Sequence, residues 1–207
     1  EQSLRKQIAH YFALVTIIDE QIGRVIDCIQ SSEDLDNTVV VYVADHGDFA
    51  GEHGLMQKNM GIYESIHRIP FLIWYPGCPE GRTITELIES VDLYPTLCEL
   101  MGLSTPDRIE GQSLIPVIEE GASGKDEVIC EWEWQGGMVH GIRTQTHRMV
   151  YYGKDRGGEL YDRRNDPDEV ENLYSDPNHQ ALRLQLLEQV TDHIMKYERR
   201  TGSTADP

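Results

Sequence analysis

The feature that most constrains this fold is the uninterrupted apolar run over residues 38–44, which is rich in β-branched side chains. Such a run predicts a strand that is buried on both faces, as in a parallel sheet. Before it, apolar side chains recur at three- and four-residue steps over residues 4–30, which predicts a long amphipathic helix. After it, residues 70–75 predict a second buried strand and residues 90–101 a helix that stops at Gly102. This alternation favours an α/β layer.

The last third of the chain has a different pattern, with short apolar segments separated by turns that contain glycine. These segments predict a small antiparallel sheet followed by a carboxyl-terminal helix. The predicted strands are 128–134, 138–144, 147–152 and 159–161, and the predicted helix is 178–200. We therefore expect an α/β fold, in which part of a mainly parallel or mixed sheet flanked by helices precedes the small sheet. A glycine-containing stretch at 121–124 places the domain boundary between 1–124 and 125–207.

Composition excludes several classes of function. The net charge of −18 argues against a nucleic-acid partner, because phosphate binding needs a basic face. No apolar run approaches the roughly 18 residues that predict a membrane-spanning helix, so we expect no membrane partner. The four cysteines form no C-x-x-C pair and leave the redox compartment open. Cys28 and Cys98 fall in helical patterns and are predicted to be small core residues.

The residues that carry chemistry follow the first predicted strand. Asp45 and His46 come directly after it, and in open parallel sheets ligands bind at the carboxyl ends of strands. A carboxylate beside an imidazole can coordinate a divalent cation, and Gly47 lets the backbone turn away. Taken alone, Asp-His-Gly is more typical of a capped turn beside an ordinary loop histidine.

The flanking residues give this tripeptide a context. They include Asp48, 51–55, Gln57-Lys58, Tyr63-Glu64, 68–70, 18–23, 91–96, 159–162, Asp166-Pro167 and Asn172-Leu173. In order and spacing they resemble the carboxyl-terminal part of the formylglycine-dependent sulfatases, a family of the alkaline-phosphatase-like superfamily. The resemblance covers nearly the whole chain.

This resemblance implies an active site. Asp45 and His46 would be ligands of one divalent cation, with calcium expected first and magnesium, manganese or zinc left open by the histidine. Lys58 would contact sulfate oxygens and stabilise charge that grows on the leaving oxygen. His53 would either approach the leaving group or hold the loop through hydrogen bonds, and the loop role is favoured.

Three further roles are predicted to be structural. Arg68 is expected to anchor the loop by pairing with a carboxylate such as Glu64. Asp48 and Glu52 are expected to order the loop or lie at the surface. Asp92 is expected to serve the start of the helix over 90–101.

The nucleophile of this family, a formylglycine made within Cys-x-Pro-x-Arg or a close variant, has no match. Cys78-Pro79-Glu80-Gly81-Arg82 carries its proline one place early and is interpreted as a coincidence. We expect the nucleophile in an amino-terminal half that would be this chain's partner, with self-association as the alternative. The predicted function is the carboxyl-terminal portion of a sulfuric ester hydrolase, inactive by itself. Alternatives are a phosphodiesterase or phosphonate monoester hydrolase of the same superfamily, or a non-catalytic binding module.

The organic half of the substrate stays open, and aryl, sugar and choline sulfates are all compatible with the sequence. Trp132, Trp134, His140 and Arg143 are candidates for contacts at the pocket mouth. For the tryptophans, packing within the sheet is the favoured interpretation.

Overall fold

A computed structural model describes residues 2–58, 63–134 and 137–201 of the chain. The packing divides it into two compact units, Glu1–Glu80 and Gly81–Pro207. The domain boundary predicted after residue 124 stays a prediction. In the part of the chain described here, no helix is both long enough and apolar enough to cross a membrane.

The first unit begins with the predicted long helix, α1, which spans Gln2–Gln30. None of the residues of α1 is buried, and Cys28 is exposed, so the prediction that Cys28 is a core residue is wrong. The segment 12–18 is apolar on every side of the helix apart from Thr16. A helix of that kind is normally covered on all sides.

The two predicted strands of the first unit are confirmed as β1, Val40–Val43, and β4, Phe71–Trp74. Between them lie two short strands, β2 (Phe49–Ala50) and β3 (Met56–Gln57), and the short helix α2 (Glu64–His67). Strands β1 and β4 pair antiparallel, from Val40 opposite Trp74 to Val43 opposite Phe71. The expectation that both strands are buried on two faces is wrong within these residues, since Leu72 is 60% exposed. The reason is that each has the other as its one strand neighbour in the described part of the chain, and a two-stranded ribbon cannot cover two faces.

The second unit begins with α3, Leu93–Leu100, which a short 3₁₀ turn at Ser90–Asp92 precedes. The Asp92 carboxylate accepts hydrogen bonds from the backbone N–H of Glu89 (2.8 Å) and of Gln112 (2.9 Å). Asp92 therefore serves the helix start, as predicted, and also ties a distant loop to it. Gly102, at φ +66°, ends the helix, and Cys98 is buried as predicted.

The four predicted strands are confirmed as an antiparallel meander in the order β5-β6-β7-β8. Their bounds are Glu127–Trp134, Gly137–Thr144, His147–Gly153 and Gly157–Asp162. The final helix α4, Gln180–Thr201, packs its apolar side on one face of this sheet. The core between them consists of Ile142, Met149, Leu160, Leu186 and Val190. The α/β fold class with its small antiparallel sheet and carboxyl-terminal helix is thus confirmed.

Candidate active site

Asp45 and His46 lie just beyond the carboxyl end of β1, where the sequence places them. The Asp45 carboxylate accepts a hydrogen bond from the His46 backbone N–H at 2.9 Å. Its other oxygen, Oδ2, lies 3.6 Å from His46 Nε2. The Asp45 side chain is 88% exposed and that of His46 is 37% exposed, so both are open to a ligand.

The ring of His46 is oriented by the backbone. Its Nδ1 lies 2.8 Å from the carbonyl oxygen of Gly47. Because a carbonyl can only accept, Nδ1 carries a proton, and in the neutral form of the ring the lone pair is therefore on Nε2. Histidine ligands in metal sites are commonly held in this way. Nε2 and Asp45 Oδ2 are then two electron-pair donors at a separation that one cation can bridge.

The electrostatics of this pair favour the carboxylate form of Asp45. The hydrogen bond from the His46 backbone N–H is the main cause that lowers the pKa of Asp45, and the His46 ring lowers it further. The positive charge of Lys58 adds the smallest contribution in the same direction.

Gly47 fixes the end of β1 against another part of the first unit. Its backbone N–H donates to the Ile66 carbonyl at 2.7 Å, in the short helix α2, Glu64–His67. A Cβ at this position would lie 1.9 Å from the Ser65 carbonyl oxygen. Glycine is therefore required here by close approach, which is a firmer reason than the turn expected from the sequence.

Lys58 follows a small hairpin. Its strands are β2, Phe49–Ala50, and β3, Met56–Gln57, and Phe49 is opposite Gln57. The Glu52 carboxylate accepts a hydrogen bond from the Ala50 backbone N–H at 2.6 Å, which confirms its loop-ordering role. Residues 59–62 of the predicted loop lie outside the described residues. Lys58 itself is exposed.

His53, at the tip of the hairpin, belongs to an aromatic cluster with Phe49 and Tyr63. The rings of His53 and Tyr63 are stacked, with centroids 4.0 Å apart and planes at 23°. The Phe49 ring meets Tyr63 edge-on at 5.8 Å and His53 at 6.5 Å. Sequence reasoning gave no role to Phe49, and it used Tyr63 only as part of the family resemblance. The signal available in the sequence was the closeness of the three aromatic side chains along the chain, two in the hairpin and one after it.

The structure also shows the surroundings of Arg68 and Asp48, two side chains with predicted structural roles. Arg68 Nη1 lies 3.8 Å from Glu64 Oε1, which confirms their pairing one helical turn apart. Asp48 is more than a surface carboxylate, because its Oδ1 is buried and no described residue donates a hydrogen bond to it.

Among residues 2–58, 63–134 and 137–201, no three His, Cys, Asp or Glu side chains lie together as a possible metal site, so no third side chain of these types joins the pair Asp45–His46.

The candidates for substrate contact lie in the second unit and do not form one group. Side chains alternate across a strand, so His140 shares the face of the core residue Ile142. Its Nδ1 lies 3.3 Å from Oε1 of Glu131 on β5. Trp132 and Arg143 lie on the opposite face of the same two strands. The Trp134 side chain lies outside the described part of the structure.

Within segment 78–82, which partly matches the formylglycine recognition pattern, Arg82 has a structural role. Arg82 donates hydrogen bonds to the carbonyls of Ile118 and Glu119, at the end of a single π-helical turn, Pro116–Glu120. Cys78 is a free thiol, partly buried. An arginine occupied with main-chain carbonyls fits the interpretation of this segment as a coincidence.

Comparison with known protein families supports the same identity. Residues 51–196 match the family described as N-sulphoglucosamine sulphohydrolase, C-terminal. This chain belongs to the sulfatase family. It is 32% identical, over 91% of its length, to N-acetylglucosamine-6-O-sulfatase of Bacteroides thetaiotaomicron, and it spans 36% of the length of that relative.

Solved structures resemble this sulfatase chain over most of its length. One, in complex with its substrate D-glucosamine-2-N,6-O-disulfate, has a TM-score of 0.81 and 28% identity, covering 93% of this chain and 41% of that protein. Another is the phosphonate monoester hydrolase of Silicibacter pomeroyi, with a TM-score of 0.79 and 28% identity over 86% of this chain and 39% of the hydrolase. The chain thus corresponds to less than half of each relative.

Proposed function

We propose that this chain supplies two metal ligands, Asp45 and His46, and a sulfate-contacting residue, Lys58, to a sulfuric ester hydrolase. The observation that carries the proposal is the 3.6 Å separation of Asp45 Oδ2 and His46 Nε2. Both side chains are open to solvent beyond the end of β1, and the Lys58 charge makes a small contribution to the lowered pKa of Asp45. Membership of the sulfatase family supports the reaction type.

Each residue has a separate task in this mechanism. Asp45 and His46 would hold a divalent cation, which would neutralise charge on the sulfate oxygens of the bound ester. Calcium is the expected ion, since carboxylate oxygens suit it, and the imidazole leaves magnesium, manganese or zinc as alternatives. The Lys58 ammonium would stabilise negative charge as the bond to the leaving oxygen breaks. A formylglycine nucleophile would come from residues outside this chain.

Two features of the first unit support a site that is completed by other residues of the same polypeptide. The Asp48 Oδ1 atom is buried without a described donor, and such atoms are normally paired. The middle of α1 also exposes large apolar side chains, among them Phe12 (60%), Ile17 (53%) and Ile18 (52%). We propose that an amino-terminal α/β segment of the polypeptide covers this surface and contributes the remaining ligands.

That partner can be tested by sedimentation. The 207-residue chain by itself should self-associate through the α1 surface, and co-expression with the preceding part of its polypeptide should give a defined one-to-one complex. Replacing Phe12 and Ile18 by Asp should weaken both associations, whereas Arg68→Asp, at an exposed site outside α1, should not. A monodisperse monomer that ignores the amino-terminal segment would count against the proposal.

The catalytic proposal is tested with the complete polypeptide, by metal analysis and by hydrolysis of an aryl sulfate. Asp45→Ala should lose the bound metal and the activity together. Lys58→Ala should keep the metal and lose about 10²- to 10³-fold in kcat, the usual effect of removing one charge-stabilising group. Denaturing mass spectrometry should find a formylglycine. Full activity in Asp45→Ala would refute the metal role.

A second activity has specific support, because a phosphonate monoester hydrolase is among the similar structures. The ratio of kcat/KM on matched sulfate and phosphonate esters decides between the two activities. If neither ester is hydrolysed by a metal-loaded polypeptide, the third prediction, a non-catalytic binding module, replaces both.

The relatives also suggest the class of sulfate ester. N-acetylglucosamine-6-O-sulfatase and the complex with a disulfated glucosamine both concern amino sugars. We therefore propose a sulfated sugar as substrate. A sulfated sugar should be hydrolysed with a higher kcat/KM than choline sulfate. A higher kcat/KM for choline sulfate would contradict this proposal.

A further inference from the structure

The two halves of the proposed site are attached to one short segment, residues 63–66. The metal-binding half is attached through Gly47, whose N–H donates to the Ile66 carbonyl and whose Cα lies against Ser65. Ile66 itself is 2% exposed, so this attachment point is buried. Movement of the segment would therefore move the end of β1.

The lysine-bearing half is attached to the same segment through aromatic rings. Phe49 is 1% exposed and is paired with Gln57, the residue before Lys58. Its ring contacts Tyr63 edge-on, at 5.8 Å between centroids. The position of Lys58 relative to Asp45 thus depends on how the hairpin sits on Tyr63.

His53 completes this attachment at a conformational cost. Its φ is +54°, in the left-handed region, which L-residues adopt less favourably than the right-handed region. The stacked contact with Tyr63, 4.0 Å between centroids, is the interaction that this conformation makes possible. Ring pairs of this kind stabilise a contact beyond the area that they bury, which offsets the cost of the backbone conformation.

We propose that His53 is a positioning residue, and that its stack on Tyr63 holds the β2–β3 hairpin so that Lys58 faces the Asp45–His46 pair. The inference rests on the proposed function of these three residues. It assigns to the His53 ring a packing task and no exchange of a proton with the substrate. The alternative is the other prediction from sequence, in which His53 approaches the leaving group.

Two substitutions at His53 separate these roles, because one keeps the tolerance of a positive φ without the ring and the other keeps the ring without that tolerance. Asn tolerates a positive φ well but has no ring, whereas Phe has a ring but tolerates a positive φ poorly. In the complete polypeptide, His53→Asn should lower kcat about 10- to 100-fold, as expected for a group misplaced by about 1 Å. His53→Phe should restore kcat to within about threefold and keep the wild-type pH profile.

The controls fix the interpretation. Metal content should be unchanged in both variants, and Tyr63→Leu should resemble His53→Asn, while Arg68→Ala should resemble the wild type. If His53→Phe is as slow as His53→Asn, or alters the pH profile, the ring exchanges protons and the positioning role is refuted. Wild-type kcat in His53→Asn would refute it as well.

A second readout does not depend on ester hydrolysis, so it keeps this inference distinct from the proposed function. The hairpin tip is closed by hydrogen bonds from Gly51 N to the Leu55 carbonyl (3.0 Å) and from Leu55 N to the Glu52 carbonyl (2.9 Å). Amide hydrogen exchange of Gly51 and Leu55 should accelerate at least about tenfold in His53→Asn and stay near the wild-type rate in His53→Phe. Equal exchange in the two variants would overturn the inference even in an inactive protein.

Discussion

The second unit, residues 81–207, buries its own apolar side chains, whereas the first unit, residues 1–80, leaves many of its own exposed. Met149 and Leu160 are fully buried between the sheet and α4. In contrast, none of the residues of α1 is buried, and Leu72 of β4 is 60% exposed. The difference indicates that the sheet unit can stabilise itself, while the unit that contains the proposed site residues needs additional covering surface.

Two buried carboxylate groups, one in each unit, have different surroundings. In the second unit, Asp92 is completely buried, and two backbone N–H groups and the Lys125 ammonium (2.7 Å) are paired with it. In the first unit, the buried Oδ1 of Asp48 has no donor among the described residues. The Asp92 carboxylate is therefore structural, whereas Asp48 Oδ1 is expected to gain a hydrogen-bond donor from outside the described residues, because buried polar atoms are normally paired.

The largest expected effect is in the core of the second unit. Leu160→Ala should lower the free energy of unfolding by about 2–5 kcal/mol, because it leaves a cavity beneath α4. The matched change in the first unit, Phe12→Ala, should alter it by no more than about 0.5 kcal/mol. Urea unfolding of the 207-residue chain at low concentration measures both, and equal effects would remove the contrast between the units.

A smaller effect is expected at the attachment of β1. Gly47→Ala would force a Cβ into the Ser65 carbonyl and should cost about 1–3 kcal/mol, confined to the first unit. Hydrogen exchange of the amides in 45–58 should accelerate, while that of β6 and β7 should not. Gly54→Ala, where nothing lies within 4 Å of an added Cβ, is the control for clash, although its φ of +71° carries its own cost. Unchanged hydrogen exchange in Gly47→Ala would contradict the conclusion that close approach to Ser65 requires a glycine here.

A pH dependence is expected from the second unit. Burial lowers the pKa of His147 below 6.5, Asp162 opposes that shift, and Arg164 and His179 reinforce it. The unfolded chain therefore binds this proton more readily, so stability is complete above pH 6.5 and is lost as the pH falls through the folded pKa. His147→Gln should flatten the dependence near pH 6.5, whereas His10→Gln, on exposed α1, should not. Unfolding midpoints across this range provide the check.

The smallest effect is expected at the Arg68–Glu64 pair. The Arg68 side chain is 79% exposed, and its 3.8 Å contact is open to solvent. Arg68→Ala should change the free energy of unfolding by no more than about 0.5 kcal/mol, and added salt should reduce the difference. A loss comparable to that of Gly47→Ala would mean that the loop depends on this ion pair.

Much of the fold could be predicted because its signals are local. The period of α1, the apolar runs of β1 and β4, and the alternating strands β5 to β8 all lie within single segments, and each was located to within about two residues. The burial of β1 and Cys28 could not be predicted, because burial depends on which other surfaces cover a segment. A β-branched run indicates a strand, but it does not reveal how many neighbours the strand has.

The candidate site divides in the same way. By itself the sequence determined that Asp45 and His46 stand together beyond a strand, since adjacent residues cannot be separated by folding. Only the tertiary structure decided that His53 stacks on Tyr63, that Gly47 is limited by Ser65, and that Trp132 and Arg143, on neighbouring strands, share a face of the sheet. These contacts depend on the path of the loops and on strand register, which the packing of distant segments selects.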